Sequence, residues 1–265
     1  MGPLLFFILG ILQGFTEFLP ISSSGHLVLA ELLMDLHPSL AVNVGLHAGS
    51  LVAIIFFYRH DLWDVVLSLM PGPETDSQKT AEHRILVWHL ILATLATIPL
   101  ALVLRDPIEG MFADPAAGRF LALTFLMTAV LLVLTELTHR DGPTESLTWK
   151  GALLIGLVQG LAVFPGISRS GSTIAAALII GLSSEKAVRF SFLLAIPIIG
   201  GASLMELPAL AGQINIGHLL LGMAASTLAG LAALNLLVAL IRRRRFVWFA
   251  AYLFPLSLLC LIFTP

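Results

Sequence analysis

The sequence predicts an all-α integral membrane protein with six full transmembrane helices and two re-entrant helical hairpins arranged as an inverted-topology repeat. Three observations predict it. Of 265 residues, 58% are hydrophobic and 11% charged, with mean hydropathy +0.98, whereas soluble domains carry about 25% charge. Too little polar surface remains to coat a water-soluble globule. The apolar runs are long and lack the alternation that a barrel strand needs to face lipid and lumen by turns. Finally, one polar interruption of an apolar stretch occurs twice.

A hydrocarbon core about 30 Å thick needs roughly 20 helical residues to cross. The first stretches, 3–18 and 24–35, are each too short and are separated by Pro20 and a run of serines, so they predict a hairpin that returns to its own side. Segment 3–18 lacks a basic flank and carries Gln13, Thr16 and Glu17, so it is expected to stay in the mature protein rather than act as a signal peptide. Full spans follow at 41–58, 84–104 and 118–137. Stretches 150–163 and 172–182, separated by Pro165-Gly166 and more serines, predict the second hairpin, and spans 186–207, 215–241 and 246–263 complete the chain.

Residues 13–27 laid on residues 159–173 match at seven of fifteen positions without a gap, at an offset of 146, where chance gives roughly one. The repeats then run over about 1–140 and 147–265 of a single membrane domain. Each holds a hairpin and three spans. Three is odd, so the second half starts on the opposite side of the membrane, with the broken helices meeting near the midplane.

One side of this topology receives Arg59, Lys79, Arg84, Arg140, Lys150, Lys186, Arg189 and Arg242 to Arg245; the other receives Arg105 and Arg119. The positive-inside rule puts both termini outside, with the first hairpin entering from the outer face. Arg169, within the second break, comes up from the cytoplasmic side to meet it. Loops 70–84 and 139–150 read as solvated connections, 61–70 as an amphipathic piece on the inner surface, and Arg242 to Arg245 as a topology anchor rather than a lipid headgroup site. With 14 Lys+Arg against 16 Asp+Glu there is no basic excess for a nucleic-acid partner. Cys260, the one cysteine, excludes a disulfide scaffold and reads as inert packing.

Chemistry concentrates in the two breaks. Glu17 follows Gln13 by four residues, one helical turn on the same face. A carboxylate in lipid faces a cavity or a partner. Glu17 is therefore either a structural partner of Arg169 or, with the Gln13 amide oxygen, the collector of a hard cation shared with substrate phosphates. Ser22, Ser23, Ser24, Gly25 and His26 open the next half-helix. Serines there are commonly caps, yet a helix start also aims free N–H groups at an anion, and His26 supplies a base for a Ser23 nucleophile. Arg169, among Gly166, Ser168, Ser170, Gly171 and Thr173, offers a planar guanidinium that takes phosphate oxygens two at a time. The repeats diverge where chemistry divides: Glu17 pairs with Val163, Ser23 with Arg169 and His26 with Ser172. Asn43 and His47 share a face and either line the cavity or pack; His89, Glu136, Glu206 and His218 near span ends read as interfacial anchors.

At these residues the sequence closely resembles the undecaprenyl-diphosphate phosphatase family, the bacitracin-resistance membrane phosphatases. Two motifs carry the resemblance: Gln13-Gly14-Phe15-Thr16-Glu17 running on through Pro20 to His26, and Pro165-Gly166-Ile167-Ser168-Arg169-Ser170-Gly171-Ser172-Thr173. The resemblance implies hydrolysis of undecaprenyl diphosphate to the monophosphate and inorganic phosphate at the outer face of the bacterial cytoplasmic membrane, recycling the carrier lipid for peptidoglycan. It also implies a divalent ion, Mg²⁺ or Ca²⁺, held by Gln13 and Glu17; attack through Ser23 and His26; and a diphosphate held by Arg169. Read from the residues alone, Ser22, Ser24, Gly25, Ser168, Ser170, Gly171 and Thr173 add donors or backbone room around that diphosphate, and the attack comes from Ser23, His26 or water. Some members have Glu where this chain has Gln13. Expected partners are the long-chain isoprenyl diphosphate, the bilayer and, as an open option, a second copy of the chain. The rival class is an inverted-repeat transporter or flippase of the lipid phosphate, which moves substrate without releasing phosphate. A purely structural membrane protein gives no reason to bury Glu17, His26 and Arg169 in two matched breaks.

Overall fold

The computed structural model describes residues 2–34, 40–70, 78–112, 116–138, 146–206, 215–242 and 245–263. Arg140, Arg243 and Arg244 of the expected cytoplasmic charge, and residues 71–77 and 139–145 of the two expected solvated loops, lie outside the described residues; residues 78–84 of the first loop are helical.

The described residues form eleven helices: α1 (Pro3–Phe18), α2 (Ser23–Met34), α3 (Leu40–Phe57), α4 (Arg59–Leu69), α5 (Gln78–Phe112), α6 (Ala117–Thr138), α7 (Trp149–Leu161), α8 (Arg169–Ile179), α9 (Ser184–Glu206), α10 (Ile216–Arg242) and α11 (Val247–Phe263). In a medium without water a helix is the one open segment that satisfies its own backbone. The chain therefore tolerates Pro99 and Pro107 inside α5, Pro197 inside α9 and Pro255 inside α11, and Pro3 opens α1 where no N–H is needed.

The fold is that of an all-α integral membrane protein; among the described residues four helices, α5, α6, α9 and α10, are long and apolar enough to cross alone. Span 41–58 meets that test only together with α4, from which it is bent by 73°. The expected span 246–263 is the 17-residue apolar helix α11, with Pro255 inside it. The expected span 84–104 is instead the middle of a 35-residue helix. The expected piece 61–70 is α4. Lys79 Nζ donates to Asp64 Oδ2 at 2.9 Å and Arg84 Nε to the Ser68 carbonyl at 2.7 Å, strapping α4 to the start of α5. Lys79 holds the exposed Asp64 carboxyl below the usual carboxylate range.

Packing places the two breaks at the centre. α1 lies on α10 and α7 lies on α5, while α6 pairs with α11 and α3 with α9. Small residues make the first two seams. A Cβ on Gly14 would stand 2.8 Å from Ala229 Cβ, and one on Gly156 would stand 2.7 Å from Ala93 Cα, so backbones approach as closely as in glycine-seamed membrane helices. In α8 every residue from Ser170 to Leu178 is buried. A short helix buried on all sides is enclosed by protein rather than lipid. Phe18 at the end of α1 packs edge-on against Phe192 of α9 at 5.6 Å, which brings both breaks into one core with Leu121, Phe125, Ile155, Ile174 and Leu178. Outward faces of the long helices expose Leu95, Val103, Met127, Leu134 and Leu228, a surface fit for lipid. Cys260 is buried, and Glu136, expected as an anchor, accepts from Phe246 N–H at 2.9 Å beside the start of α11.

Candidate active site

Each break ends on a polar residue that starts the next helix. Ser23 is the first residue of α2 and Arg169 the first residue of α8, so Arg169 belongs to a helix start rather than to the break itself. The offset of the repeat puts these two residues at equivalent places. Folding then aims both at Glu17, in the last turn of α1.

Glu17 is 7% exposed and Arg169 14%. Oε1 of Glu17 pairs with Nη2 of Arg169. Oε2 accepts from Ser23 Oγ at 2.5 Å and from Gln13 Nε2 at 2.9 Å. His47 Nε2 stands 3.8 Å from the same oxygen, close enough for charge to act and too long for a direct hydrogen bond. The Nδ1–H of His47 donates to the Asn43 carbonyl at 2.8 Å, which turns Nε2 toward the carboxylate. Three buried polar atoms on the residues around this carboxylate have no partner: Gln13 Oε1, Arg169 Nη1 and Asn43 Oδ1. Buried polar atoms are nearly always paired, so such a group marks where water or ligand belongs.

The expected pairing of Ser23 with His26 is not formed. His26 Nδ1–H donates to the Ser22 carbonyl at 2.7 Å, and Nε2 meets the Tyr252 hydroxyl at 2.8 Å. The ring stacks on Tyr252 and takes Phe125 edge-on at 5.2 Å. With both nitrogens engaged and the ring clamped, it has nothing left for the Ser23 hydroxyl. Sequence reasoning passed over Tyr252 altogether, since a tyrosine late in an apolar span carries no local signal, and left His47 undecided although the four-residue spacing from Asn43 was visible.

Residues 6–259, which contain both breaks, match a family model described as "Bacitracin resistance protein BacA". The chain belongs to the BacA family. It is 40% identical to the undecaprenyl-diphosphatase of Desulfosudis oleivorans over 97% of both chains. It is 39% identical to that of Methanosphaera stadtmanae over 96% of this chain and 95% of the relative, and 38% identical to that of Korarchaeum cryptofilum over 92% and 93%.

In this BacA-family chain several residues expected to hold substrate are bonded within the protein at and around the two breaks. Ser22 is buried at φ +70 and its Oγ accepts from Gly25 N at 3.3 Å and Gly166 N at 3.1 Å. Gly25 meets Gly166 so closely that a Cβ would stand 2.7 Å from the Gly166 nitrogen, and its N–H is spent on Ser22. Gly166 itself is at φ +92, with Thr124 where a Cβ would go. Ser168 caps α8 by accepting from Gly171 N at 3.0 Å. Ser170 Oγ donates to the Leu19 carbonyl at 3.3 Å, Gly171 lies against Pro20, and Thr173 is fully buried on Ser191 at 2.5 Å. These hydroxyls are consumed because a break in a helix frees backbone groups that must be satisfied without water. Ser24, half-buried with Oγ 3.4 Å from Ser22 Oγ, is the residue of the set least committed to that task.

The donor set suits a hard divalent ion shared with substrate. Glu17 supplies one carboxylate and Gln13 an amide oxygen without a partner. Among the described residues no three His, Cys, Asp or Glu side chains form a metal cluster. Mg²⁺ typically takes one or two carboxylates and completes its shell with water and phosphate oxygens, which is the kind of site these residues can make.

Proposed function

We propose that this protein hydrolyses undecaprenyl diphosphate to undecaprenyl phosphate and inorganic phosphate, returning the carrier lipid to cell-wall synthesis, the activity behind bacitracin resistance. The observation that carries the reading is the meeting of Ser23 and Arg169, one from each break, on the single buried carboxylate of Glu17. Full-length relatives named undecaprenyl-diphosphatase agree with it.

The mechanism follows from who holds whom. Without substrate, Arg169 is neutralised by Glu17, so neither charge stands alone in a low-dielectric site. An entering diphosphate offers Arg169 more oxygens than the carboxylate does, and Nη1, which has no partner, is ready for one of them. Release from Arg169 makes Glu17 a stronger proton acceptor just as its hydrogen-bonded Ser23 hydroxyl comes under the terminal phosphorus. Ser23 Oγ bonds that phosphorus, its proton passes to Glu17, and the bridging P–O bond breaks with its electron pair leaving on the lipid phosphate. Water then cleaves the phosphoserine to inorganic phosphate. Arg169 offsets the charge spreading over the phosphoryl oxygens throughout. Gln13 and Glu17 would hold Mg²⁺ or Ca²⁺, whose chemistry is to neutralise phosphate oxygens. His26, clamped by Tyr252, positions the start of α2.

The finer architecture is read as six spans and two re-entrant hairpins in an inverted repeat. Support comes from reciprocity: the first hairpin packs on α10 of the second half and the second hairpin on α5 of the first. Gly10 and Gly14 recur as Gly156 and Gly160 at the same offset of 146 and make both seams. The Lys and Arg asymmetry orients the site and both termini outward in the bacterial inner membrane.

The test is phosphate release from a long-chain isoprenyl diphosphate by the purified protein, with and without chelator. Release that depends on added Mg²⁺ or Ca²⁺ and vanishes in Glu17→Gln is expected; no release under any metal condition rejects the reading in favour of a transporter.

A further inference from the structure

Three acceptor atoms gather beside the Glu17 carboxylate, and one of them, Nε2 of His47, has no part in the hydrolysis. The first is Glu17 Oε2, which stands 3.8 Å from that nitrogen. The second is Gln13 Oε1. Gln13 is fully buried, its Nε2 donates to Glu17 Oε2 at 2.9 Å, and Oε1, on the same amide carbon, has no partner. The third is the imidazole nitrogen itself. A backbone carbonyl only accepts, so the Asn43 carbonyl, 2.8 Å from Nδ1, fixes a ring proton on Nδ1 and leaves Nε2 as the lone pair of the neutral ring.

Lone pairs that face one another share a cation. Ligand bonds of about 2.1 Å allow two atoms on one ion to stand up to about 4.2 Å apart, so the separation of Nε2 and Oε2 is too long for a hydrogen bond and short enough for a common ion. The ring is also held as metal-bound histidines are held, with its other N–H given to a backbone carbonyl that sets its tautomer and direction. The framework is in place without substrate, because α1 and α3 pack on each other and each brings residues spaced one turn apart, Gln13 with Glu17 and Asn43 with His47. His47 is 31% exposed against 7% for Glu17, so the imidazole lies on the open side of the group.

We propose that His47 Nε2 is a ligand of the divalent ion beside Glu17 and Gln13 Oε1, which makes the site a mixed nitrogen and oxygen one that takes Mn²⁺ in preference to Ca²⁺. The inference rests on the reading that Glu17 and Gln13 hold an ion. Carboxylate and carbonyl oxygens suit Mg²⁺, Ca²⁺ and Mn²⁺, whereas imidazole suits transition ions, so the third ligand shifts the choice among them. Among the described residues no further His, Cys, Asp or Glu completes a cage, and the open positions fall to water and phosphate oxygens.

Mn²⁺ is titrated into the purified full-length protein, freed of metal by chelator, with and without inorganic phosphate to occupy Arg169. Electron paramagnetic resonance counts the free ion, and its pulsed form detects nitrogen bonded directly to the bound one. A single Mn²⁺ per chain with a nitrogen coupling is expected, and Ca²⁺ should displace it only in excess. His47→Gln, which offers an amide oxygen in place of the ring, should lose the coupling and weaken Mn²⁺ by about tenfold or more, since even partners one shell further out cost that much, while Ca²⁺ binding stays within about twofold. Glu17→Gln should lose both ions. The coupling is read in the parent, so the result does not depend on a variant that folds. Mn²⁺ held through Glu17 with no nitrogen coupling, or a coupling that survives in His47→Gln, overturns the proposal and leaves the Glu17 ion site standing. No ion held under either condition overturns both.

Discussion

Glu17 serves Arg169, Ser23, Gln13 and the neighbouring His47 with two oxygens, and this crowding makes single substitutions informative. Arg169→Ala should lower phosphate release by about 10³-fold or more, the range for a cation removed from a phosphoryl transition state. Arg169→Lys should recover little, because an ammonium lacks the planar fork. Steady-state assays on matched amounts of folded protein measure both. Ser23→Ala should abolish hydrolysis while a non-hydrolysable diphosphate still binds; full retention of turnover would remove Ser23 as nucleophile and leave water. Gln13→Ala should raise the concentration of Mg²⁺ or Ca²⁺ needed for half-maximal rate by more than it lowers the rate at saturation. At this scale the sequence named Gln13, Glu17, Ser23 and Arg169 correctly as neighbours-to-be. It did not show that His26 bonds Tyr252 and not Ser23, since two side chains three residues apart on a helix share a face without sharing a hydrogen bond when a third residue competes.

The hairpins show what a helical break demands. Ser22 and Ser170 bond one break to the other. Thr128 of α6 holds the second break twice, donating to the Gly166 carbonyl at 2.8 Å and accepting from Ser168 N–H at 3.1 Å. Thr128→Val keeps the shape and removes both bonds, leaving a buried carbonyl and a buried N–H unanswered. A loss of about 2 kcal/mol is expected on that account, read as a lower denaturation midpoint in detergent. Gly25→Ala should also destabilise, by about 1–3 kcal/mol through overpacking against Gly166 and Phe125. It should cost activity as well, because the start of α2 carries Ser23. The motif serines looked like phosphate donors in the sequence, and Ser22, Ser168 and Ser170 are bonded to backbone groups of the protein. Local sequence could not show this, since partners such as Leu19 for Ser170 and Gly166 for Ser22 come from the other half of the chain.

Over the whole molecule the two halves exchange partners, the hairpin of each lying on a long helix of the other, which places the site between them and ties its integrity to both. Cysteines introduced singly at Ser24 and at Lys186 test the orientation: an impermeant thiol reagent on intact cells should reach the first and not the second, and the reverse pattern would invert the topology. Composition, the length of apolar runs and the matched breaks were enough to read an all-helical membrane chain, because hydropathy is a local property that lipid enforces segment by segment, while the reaction was implied by the likeness of the two motifs to a known family. Where each span begins and ends was less legible, since α5 runs well past its apolar middle and α3 turns through 73° into α4. Which hydroxyl reaches Glu17, which holds backbone, and that His47 rather than His26 stands beside Glu17, were decided by tertiary packing. Those choices depend on contacts between residues well over a hundred positions apart, such as Glu17 with Arg169 and His26 with Tyr252, and such contacts leave no trace in a neighbourhood of sequence.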